Sequence, residues 1–252
     1  MLSALIARLR PAPLLRESQE VLFCWAGALL VAGDAVFWLM FAAIQSDSGL
    51  AAMDGPVHSL MVDSRNPAAT VLLAALATVT SPEVLGVISA VFALAWALWK
   101  RELWRPAILM GSMVLAVVLT TLIKQLVSRS RPPASDFLLG PDDALSFPSG
   151  HTVGIGVFTL VLAYLVVSRS GTRTTAVLGF SAACAVTALV GVCRLYLGYH
   201  WLTDVVASFG VALAVAAVAV FTDAARHGSA KNRSKTPGKQ GPADSSARNA
   251  EP

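Results

Sequence analysis

Six long apolar stretches constrain what this chain can fold into more than any other feature of its sequence. The first, residues 21–44, is almost free of charged side chains. As a helix it would rise about 36 Å, enough to cross a bilayer core of roughly 30 Å with some tilt. Five stretches of similar character follow, at residues 83–99, 106–126, 152–168, 175–192 and 202–221. The sequence therefore predicts an all-α integral membrane protein with six transmembrane helices.

The amino-acid composition supports a lipid environment. Hydrophobic residues make up 56% of the 252 residues and charged residues only 13%, whereas a soluble domain carries about 25% charged residues. The formal net charge of +4 does not indicate a nucleic-acid partner, because the basic residues lie in short clusters between apolar stretches. We therefore expect membrane lipids around the chain and no nucleic-acid binding.

The distribution of basic residues predicts the topology. With a cytoplasmic N-terminus, most Lys and Arg residues fall in cytoplasmic segments, in agreement with the positive-inside rule. Residues 69–79 are apolar but too short to cross a bilayer, and we expect an interfacial or re-entrant helix there, in the first outer loop. The predicted organisation is a cytoplasmic N-terminal segment (1–20), a six-helix membrane domain (21–222) and a disordered cytoplasmic tail (223–252).

Three polar segments at the outer ends of the predicted spans carry side chains that a membrane protein rarely retains without a function. The segments are Lys124-x6-Arg131-Pro132, Pro148-Ser149-Gly150-His151 and Arg194-x5-His200-x3-Asp204. The first two share the loop 128–150, and two spans separate the second from the third. Since an even number of crossings returns the chain to the same face, we expect all three segments to meet at the outer face.

The second and third segments have the chemistry of an anion site and of a nucleophile. Ser149 can cap the following helix, and Gly150 lets a ligand approach the free N–H groups at the helix N-terminus. His200 and Asp204 are four residues apart and would face the same way on a helix, so the carboxylate can orient the imidazole. Each feature also has a purely structural interpretation, as a helix cap or an interfacial histidine. The predicted convergence of the three segments favours function.

Two histidines and a carboxylate could alternatively bind iron or zinc. Lys124, Arg131 and Arg194 argue against a metal, because three cations around one pocket would repel a divalent ion. The same cations suit the oxygens of a phosphoryl group and can stabilise the charge of a phosphoryl-transfer transition state. We therefore predict a phosphate pocket with no metal and no cofactor.

In this order, the segments K-x6-R-P, P-S-G-H and R-x5-H-x3-D resemble the signature motifs of the type-2 phosphatidic acid phosphatase superfamily. Its members are integral membrane lipid phosphatases related to soluble vanadium haloperoxidases. The resemblance covers roughly residues 20–222 and implies six transmembrane helices and a metal-independent mechanism. It implies that His200 is the nucleophile, that Asp204 orients it, and that His151 transfers protons. The phosphoryl-binding positions that it implies are Lys124, Arg131, Ser149, Gly150 and Arg194.

The resulting hypothesis is a lipid phosphatase of the cell inner (plasma) membrane, with its site on the periplasmic or extracytoplasmic face and both termini in the cytoplasm. By resemblance, the substrate is a polyprenyl diphosphate such as undecaprenyl diphosphate, phosphatidate or phosphatidylglycerol phosphate. A lipid phosphotransferase that uses the same histidine is one alternative. An anionic lipid transporter is another, although the sequence shows none of the internal repeats common in transporters.

Several residues have no role in this hypothesis. Asp34, inside the first predicted span, is open to interpretation as functional, protonated or paired within the bundle. We expect the loop residues Asp136, Asp142 and Asp143 to be solvated. Cys193 stands where the family usually has serine, and we expect activity to survive this difference. Nothing in the sequence indicates an oligomeric state.

Overall fold

The computed structural model describes residues 17–235, and regular structure in that part of the chain is entirely helical. The α-helices are α1 (Gln19–Ser46), α2 (Asp54–Asp63), α3 (Pro67–Val79), α4 (Pro82–Lys100), α5 (Trp104–Val127), α6 (Gly150–Ser170), α7 (Arg173–Tyr196) and α8 (Leu202–Lys235). Two short 3-10 helices, Gly49–Met53 and Ala134–Asp136, lie in the connecting segments.

Within residues 17–235, six helices are long and apolar enough to cross a membrane, namely α1 and α4 to α8. Each coincides with one of the predicted apolar stretches, so the predicted fold class is confirmed. The helix α3, with 13 residues, is too short to span, also as predicted. The sequence did not predict α2, whose 10 residues mix polar and apolar side chains without an apolar stripe.

Prolines and polar caps determine where α3 and α4 begin. Asn66 precedes Pro67 at the start of α3, and its side chain accepts a hydrogen bond from the N–H of Ala69 at 2.9 Å. Ser81 caps α4 in the same way, just before Pro82. Because proline has no N–H to leave unsatisfied in the first helical turn, it favours a helix start at both points. The two starts keep α3 separate from α4.

A core of branched apolar side chains holds α5, α6 and α8 together. Its most deeply buried members include Leu109, Val157, Val161, Leu165 and Val215. Large apolar side chains also cover the outside of the bundle, among them Trp25, Trp38 and Trp99. An apolar exterior of this kind is expected of a surface in contact with lipid.

Two glycines let α1 and α8 pack with their backbones in contact. A Cβ atom on Gly33 would lie 2.6 Å from the carbonyl oxygen of Gly210, and one on Gly210 would lie 2.5 Å from that of Gly33. Only residues without a side chain allow so close an approach. This crossing fixes the first helix against the helix that carries Asp204.

The last helix continues past residue 223, where the sequence predicts the start of the tail. Asp223 is fully buried. It accepts hydrogen bonds from Trp104 Nε1, Tyr164 OH and Arg169 Nη2, at 2.8, 2.9 and 2.7 Å. These contacts tie α8 to α5 and α6, so residues beyond 222 remain part of the bundle. Residues 236–252 of the predicted tail and residues 1–16 of the predicted N-terminal segment lie outside the described residues.

We expect Gly33→Val to destabilise the protein by about 1–3 kcal/mol, because the valine side chain would overlap the backbone of α8. Gly27→Val is the matched control, since a Cβ atom on Gly27 meets no other atom within 4 Å. Thermal unfolding in detergent should show a lower midpoint for Gly33→Val and an unchanged midpoint for Gly27→Val. Equal midpoints for the two variants would contradict the close crossing of α1 and α8.

Candidate active site

The three motif segments meet at one end of the helix bundle, here called the motif end. Lys124 lies in the last turn of α5, and Gly150 and His151 begin α6. Arg194 lies in the last turn of α7, and Asp204 lies in the first turn of α8. The first and third segments are joined by a hydrogen bond from Arg131 Nη1 to the carbonyl of Tyr199. The backbone N–H of Ser149 links the second segment to α8 by donating to Ser208 Oγ at 2.9 Å.

His200 is held between a carboxylate and a guanidinium. Its Nδ1 lies 3.3 Å from Asp204 Oδ2, and its Nε2 lies 3.3 Å from Arg131 Nη1. The two ring nitrogens therefore have different partners, and Nε2 faces a cation that can hold a phosphoryl oxygen. This is the arrangement required of an oriented nucleophile.

The predicted helical geometry of the third segment is wrong in one respect. The helix α8 begins at Leu202, so His200 precedes it and lies in the turn after α7. Gly198 forms this turn with a positive φ of 88°, and a side chain there would collide with the backbone of Asp136. Asp204 also accepts a hydrogen bond from the N–H of Trp201 at 2.9 Å, as a cap does. The turn, not helical spacing, brings the carboxylate to the imidazole.

Burial keeps the imidazole of His200 neutral. The side chain is only 2% exposed, and removal from water lowers the pKa of His200 to about 3, even though Asp204 acts in the opposite direction. Arg194 and Arg131 add to the lowering through their positive charges. At physiological pH the residue is therefore a neutral imidazole with one unprotonated ring nitrogen, the form that can attack phosphorus.

Arg131 is positioned by the loop that follows the first segment. Its Nε donates to the carbonyl of Ala144 at 2.6 Å, and its Nη1 donates to the carbonyl of Tyr199 at 2.7 Å. Its Nη2 lies 2.9 Å from Asp142 Oδ2. The guanidinium is thus directed at His200 by contacts from two segments.

Two of the loop aspartates that we expected to be solvated are paired. Asp142 binds Arg131, and Asp136 Oδ2 lies 2.9 Å from His58 Nε2. The expectation was wrong for these two because the loop folds back over the motif end, where positive and imidazole side chains are available. Asp143 is exposed, as expected.

The other two cations also lie at the motif end. Lys124 Nζ donates to the carbonyl of Leu145, in the loop just before the second segment. Arg194 is only 4% exposed, and its guanidinium lies 4.4 Å from the ring centroid of Tyr199. No hydrogen-bond acceptor for the buried Nε of Arg194 occurs among the residues that the structure describes. A buried donor without an acceptor is unusual, and an anionic ligand would satisfy it.

The second segment begins α6 as predicted, with Ser149 as the N-cap residue. Its side chain does not cap the helix backbone, because Ser149 Oγ instead accepts a hydrogen bond from Thr152 Oγ1 at 3.0 Å. A Cβ on Gly150 would make ordinary van der Waals contacts with side-chain atoms of Pro82 at 3.7 Å and Thr120 at 3.9 Å, so packing alone does not require glycine at this position. The first N–H groups of α6 have no partners within the helix, which suits an anion.

His151 lies close enough to the three cations for the charges of Arg194, Arg131 and Lys124 to act on it. The thiol of Cys193 is buried and donates to the carbonyl of Leu73 at 3.1 Å, so it is directed towards α3. Asp34 is exposed on α1.

Three residues of the site were missed by the sequence analysis. Ser146 Oγ donates to Asp204 Oδ2. Arg129 Nη1 lies 2.5 Å from Asp204 Oδ1, and Arg129 Nη2 lies 2.7 Å from Asp54 Oδ2. Arg129 occupies an unspecified position of the first segment and Ser146 lies two residues before the second, so their places beside the motifs could have drawn attention to them. Asp54 had no local signal, since 75 residues separate it from Arg129.

Comparisons with known proteins identify a family and relatives that this chain resembles. Residues 105–226 match the family model of the PAP2 superfamily. Phosphatidylglycerophosphatase B of Bacillus subtilis (strain 168) is 33% identical over 98 residues, which are 38% of this chain and 47% of that protein. The match thus spans about half the length of that relative. The resemblance expected from the three motifs is confirmed.

A solved structure shows the same fold, and a second was compared with it. A transmembrane PAP2 type phosphatidylglycerolphosphate phosphatase from Bacillus subtilis superposes with a TM-score of 0.65, over 79% of this chain and 96% of that chain, at 19% identity. The LpxE structure from Aquifex aeolicus has a TM-score of 0.49 and 20% identity, covering 66% of this chain and 94% of that chain. At 19% identity the first similarity establishes the fold alone.

We expect His200→Gln to make the fold less sensitive to acid. The pKa of histidine in an unfolded chain is about 6.5, and the folded pKa of about 3 means that the unfolded state binds more protons between these values. The contribution of His200 to the free energy of unfolding is complete above the unfolded pKa. It falls as the pH decreases, by about 2 kcal/mol between pH 7 and pH 5.

Thermal unfolding midpoints in detergent at the two pH values provide the measurement. The midpoint of the wild-type protein should fall further between pH 7 and pH 5 than that of His200→Gln. An equal fall in both proteins would contradict a buried, neutral His200.

Proposed function

We propose that this chain is an integral membrane phosphatase that hydrolyses a lipid phosphate or diphosphate, and the match of residues 105–226 to the family model of the PAP2 superfamily supports the proposal. The observation that carries the proposal is the environment of His200. Its Nδ1 contacts Asp204, and its Nε2 faces the guanidinium of Arg131 at 3.3 Å. A neutral imidazole oriented in this way towards an anion-binding group is equipped to attack phosphorus.

In the proposed first step, His200 Nε2 attacks phosphorus and forms a phosphohistidine. The bond between phosphorus and the leaving oxygen breaks, and His151 donates a proton to that oxygen. Asp204, which already accepts from Ser146 and from the backbone of Trp201, accepts the Nδ1–H of His200 and stabilises the positive imidazole as it forms.

In the proposed second step, His151 takes a proton from water, and the resulting nucleophile attacks the phosphohistidine. The phosphorus–nitrogen bond breaks, inorganic phosphate leaves, and His200 returns to its neutral form. His151 has then regained the proton that it donated in the first step. Hydrolysis is therefore balanced without any other reactant.

The charge of the transferring phosphoryl group requires stabilisation, and we assign this role to Lys124, Arg131 and Arg194. Arg194 has a buried Nε without an acceptor among the described residues. Arg131 can exchange its contact with Asp142 for a phosphoryl oxygen. The hydroxyl of Ser149 and the N–H of Gly150 would complete the pocket. These positive groups can supply the charge stabilisation that a metal provides in other phosphoryl-transfer enzymes.

The substrate is proposed to be a polyprenyl diphosphate such as undecaprenyl diphosphate, phosphatidate or phosphatidylglycerol phosphate. The similarity to a protein named phosphatidylglycerophosphatase B supports including the last of these in any test. We further propose that the chain lies in the cell inner (plasma) membrane with the motif end on the extracytoplasmic face. A phosphotransferase with the same histidine intermediate is the second candidate, since transfer to an acceptor other than water requires no different site.

We expect the purified protein in detergent to release inorganic phosphate from at least one of these lipids in the presence of a chelator. His200→Ala should abolish the release, because the nucleophile is missing. His58→Ala is the matched control, since His58 lies at the same end of the bundle but pairs with Asp136 instead of a proposed catalytic or phosphate-binding residue. It should retain activity within a few-fold of the wild type.

Equal release by the wild type and His200→Ala would contradict the assignment of the nucleophile. Release that requires an added divalent metal would contradict the metal-free mechanism. Loss of substrate without an equal amount of free phosphate would favour the phosphotransferase.

A further inference from the structure

We propose that Arg129 and Asp54 are positioning residues that hold Asp204 in the orientation required by His200. They form a buried chain of contacts from the first outer loop to the active site. The inference rests on the proposed function, because it concerns how the nucleophile of that reaction is oriented. Asp54 lies outside the three motif segments, and Arg129 occupies one of the unspecified positions of the first segment, between Lys124 and Arg131.

The two oxygens of Asp204 have separate partners. Oδ2 faces His200 Nδ1 and accepts hydrogen bonds from Ser146 Oγ and the N–H of Trp201. Oδ1 lies 2.5 Å from Arg129 Nη1. A carboxylate can rotate about its last bond, and a strong charged hydrogen bond to one oxygen fixes the other in place. Arg129 thus determines which oxygen faces the imidazole.

Arg129 also compensates the charge of Asp204. The carboxylate is fully buried, and the side chain of Arg129 is only 16% exposed. A buried carboxylate without a cation is costly, and a neutral His200 supplies no positive charge before the reaction begins. The guanidinium therefore keeps a negative charge next to the imidazole that becomes positive when it attacks phosphorus.

Asp54 fixes Arg129 from the opposite side. Its Oδ2 lies 2.7 Å from Arg129 Nη2, and it accepts from Thr203 through both the backbone N–H (2.9 Å) and Oγ1 (2.7 Å). Arg129 Nη1 in turn donates to Thr203 Oγ1 at 2.8 Å. Thr203 is the residue before Asp204, so Asp54 restrains both the guanidinium and the backbone that carries the carboxylate. Asp54 begins α2, which makes this short helix part of the active-site support.

Arg129 differs in its contacts from Arg131 and Arg194, the arginines assigned to phosphate. Arg131 faces the reacting Nε2 of His200, whereas Arg129 contacts the Asp204 oxygen that points away from the imidazole. Both terminal nitrogens of the Arg129 guanidinium, Nη1 and Nη2, are bonded to protein side chains. Its loss should therefore affect the chemical step and leave substrate binding almost unchanged.

The test measures kcat and KM for Arg129→Gln, Arg129→Lys and Asp54→Asn, each alone and combined with Asp204→Asn. Arg129→Gln should lower kcat roughly 10- to 100-fold, the range seen when partners that orient metal-ligand histidines are removed. KM should stay within about two-fold of the wild type. Arg129→Lys should recover part of the lost kcat, because it restores the charge but not the second hydrogen bond.

The combined variants separate positioning from general structural support. If Arg129 acts through Asp204, Arg129→Gln should cause no further loss of kcat in the Asp204→Asn protein. Arg65→Gln is the matched control. Arg65 ties segments of the motif end together through the carbonyls of Tyr196 and Asp136 and does not contact Asp204. Its effect should be the same in both backgrounds.

An increase in KM with unchanged kcat would overturn the inference and make Arg129 a phosphate ligand. Additive losses in Arg129→Gln and Asp204→Asn would also overturn it, as would a wild-type kcat in Arg129→Gln. If Arg129→Gln does not fold in detergent, Asp54→Asn replaces it in the same comparison, because it keeps the shape of the side chain. Wild-type activity that is independent of His200 would refute the proposed function itself, whereas His200-dependent activity with additive losses refutes only the inference.

Discussion

The motif end of this protein is organised around one buried carboxylate. Asp204 has no exposed surface, and a charge in such a place is tolerated only where several donors surround it. Its partners come from different parts of the chain: Arg129 and Ser146 from the loop after α5, and His200 and Trp201 from the turn after α7. Because each partner must reach the same group, the segments that carry them converge. The position of His200, the proposed nucleophile, follows from satisfying that charge.

Packing elsewhere in the bundle also helps to hold Asp204 in place, because it fixes α8. Gly33 and Gly210 bring α1 into backbone contact with α8, the helix that begins next to His200. At the far end of α8, the buried Asp223 binds side chains of α5 and α6. The helix is therefore fixed at its start, in its middle and beyond its last apolar turn. A rigid α8 suits a mechanism in which the distance between Asp204 and His200 has to be maintained.

The sequence predicted the features that depend on local pattern, and missed those that depend on distant contacts. Apolar length predicted the six spans, and Pro67 and Pro82 marked α3 as a separate short helix. Motif spacing predicted Arg131, His200 and Asp204 as one site, and the structure brings these three together. The helical phase expected for His200 was wrong, because Gly198 forms a turn there. Asp54 could not be predicted, since a carboxylate near the start of a loop has no pattern until Arg129 and Thr203 are folded against it.

The most direct test of the account is to identify the residue that becomes phosphorylated. His151→Ala can be mixed with an aryl phosphate, whose leaving group needs no proton, so that the first step proceeds while hydrolysis of the intermediate is slow. Rapid quenching followed by peptide mass spectrometry should find an acid-labile phosphoryl group on the peptide that contains His200, approaching one per protein. A phosphoryl group on any other residue, or none under conditions where the aryl alcohol is released, would contradict His200 as the nucleophile.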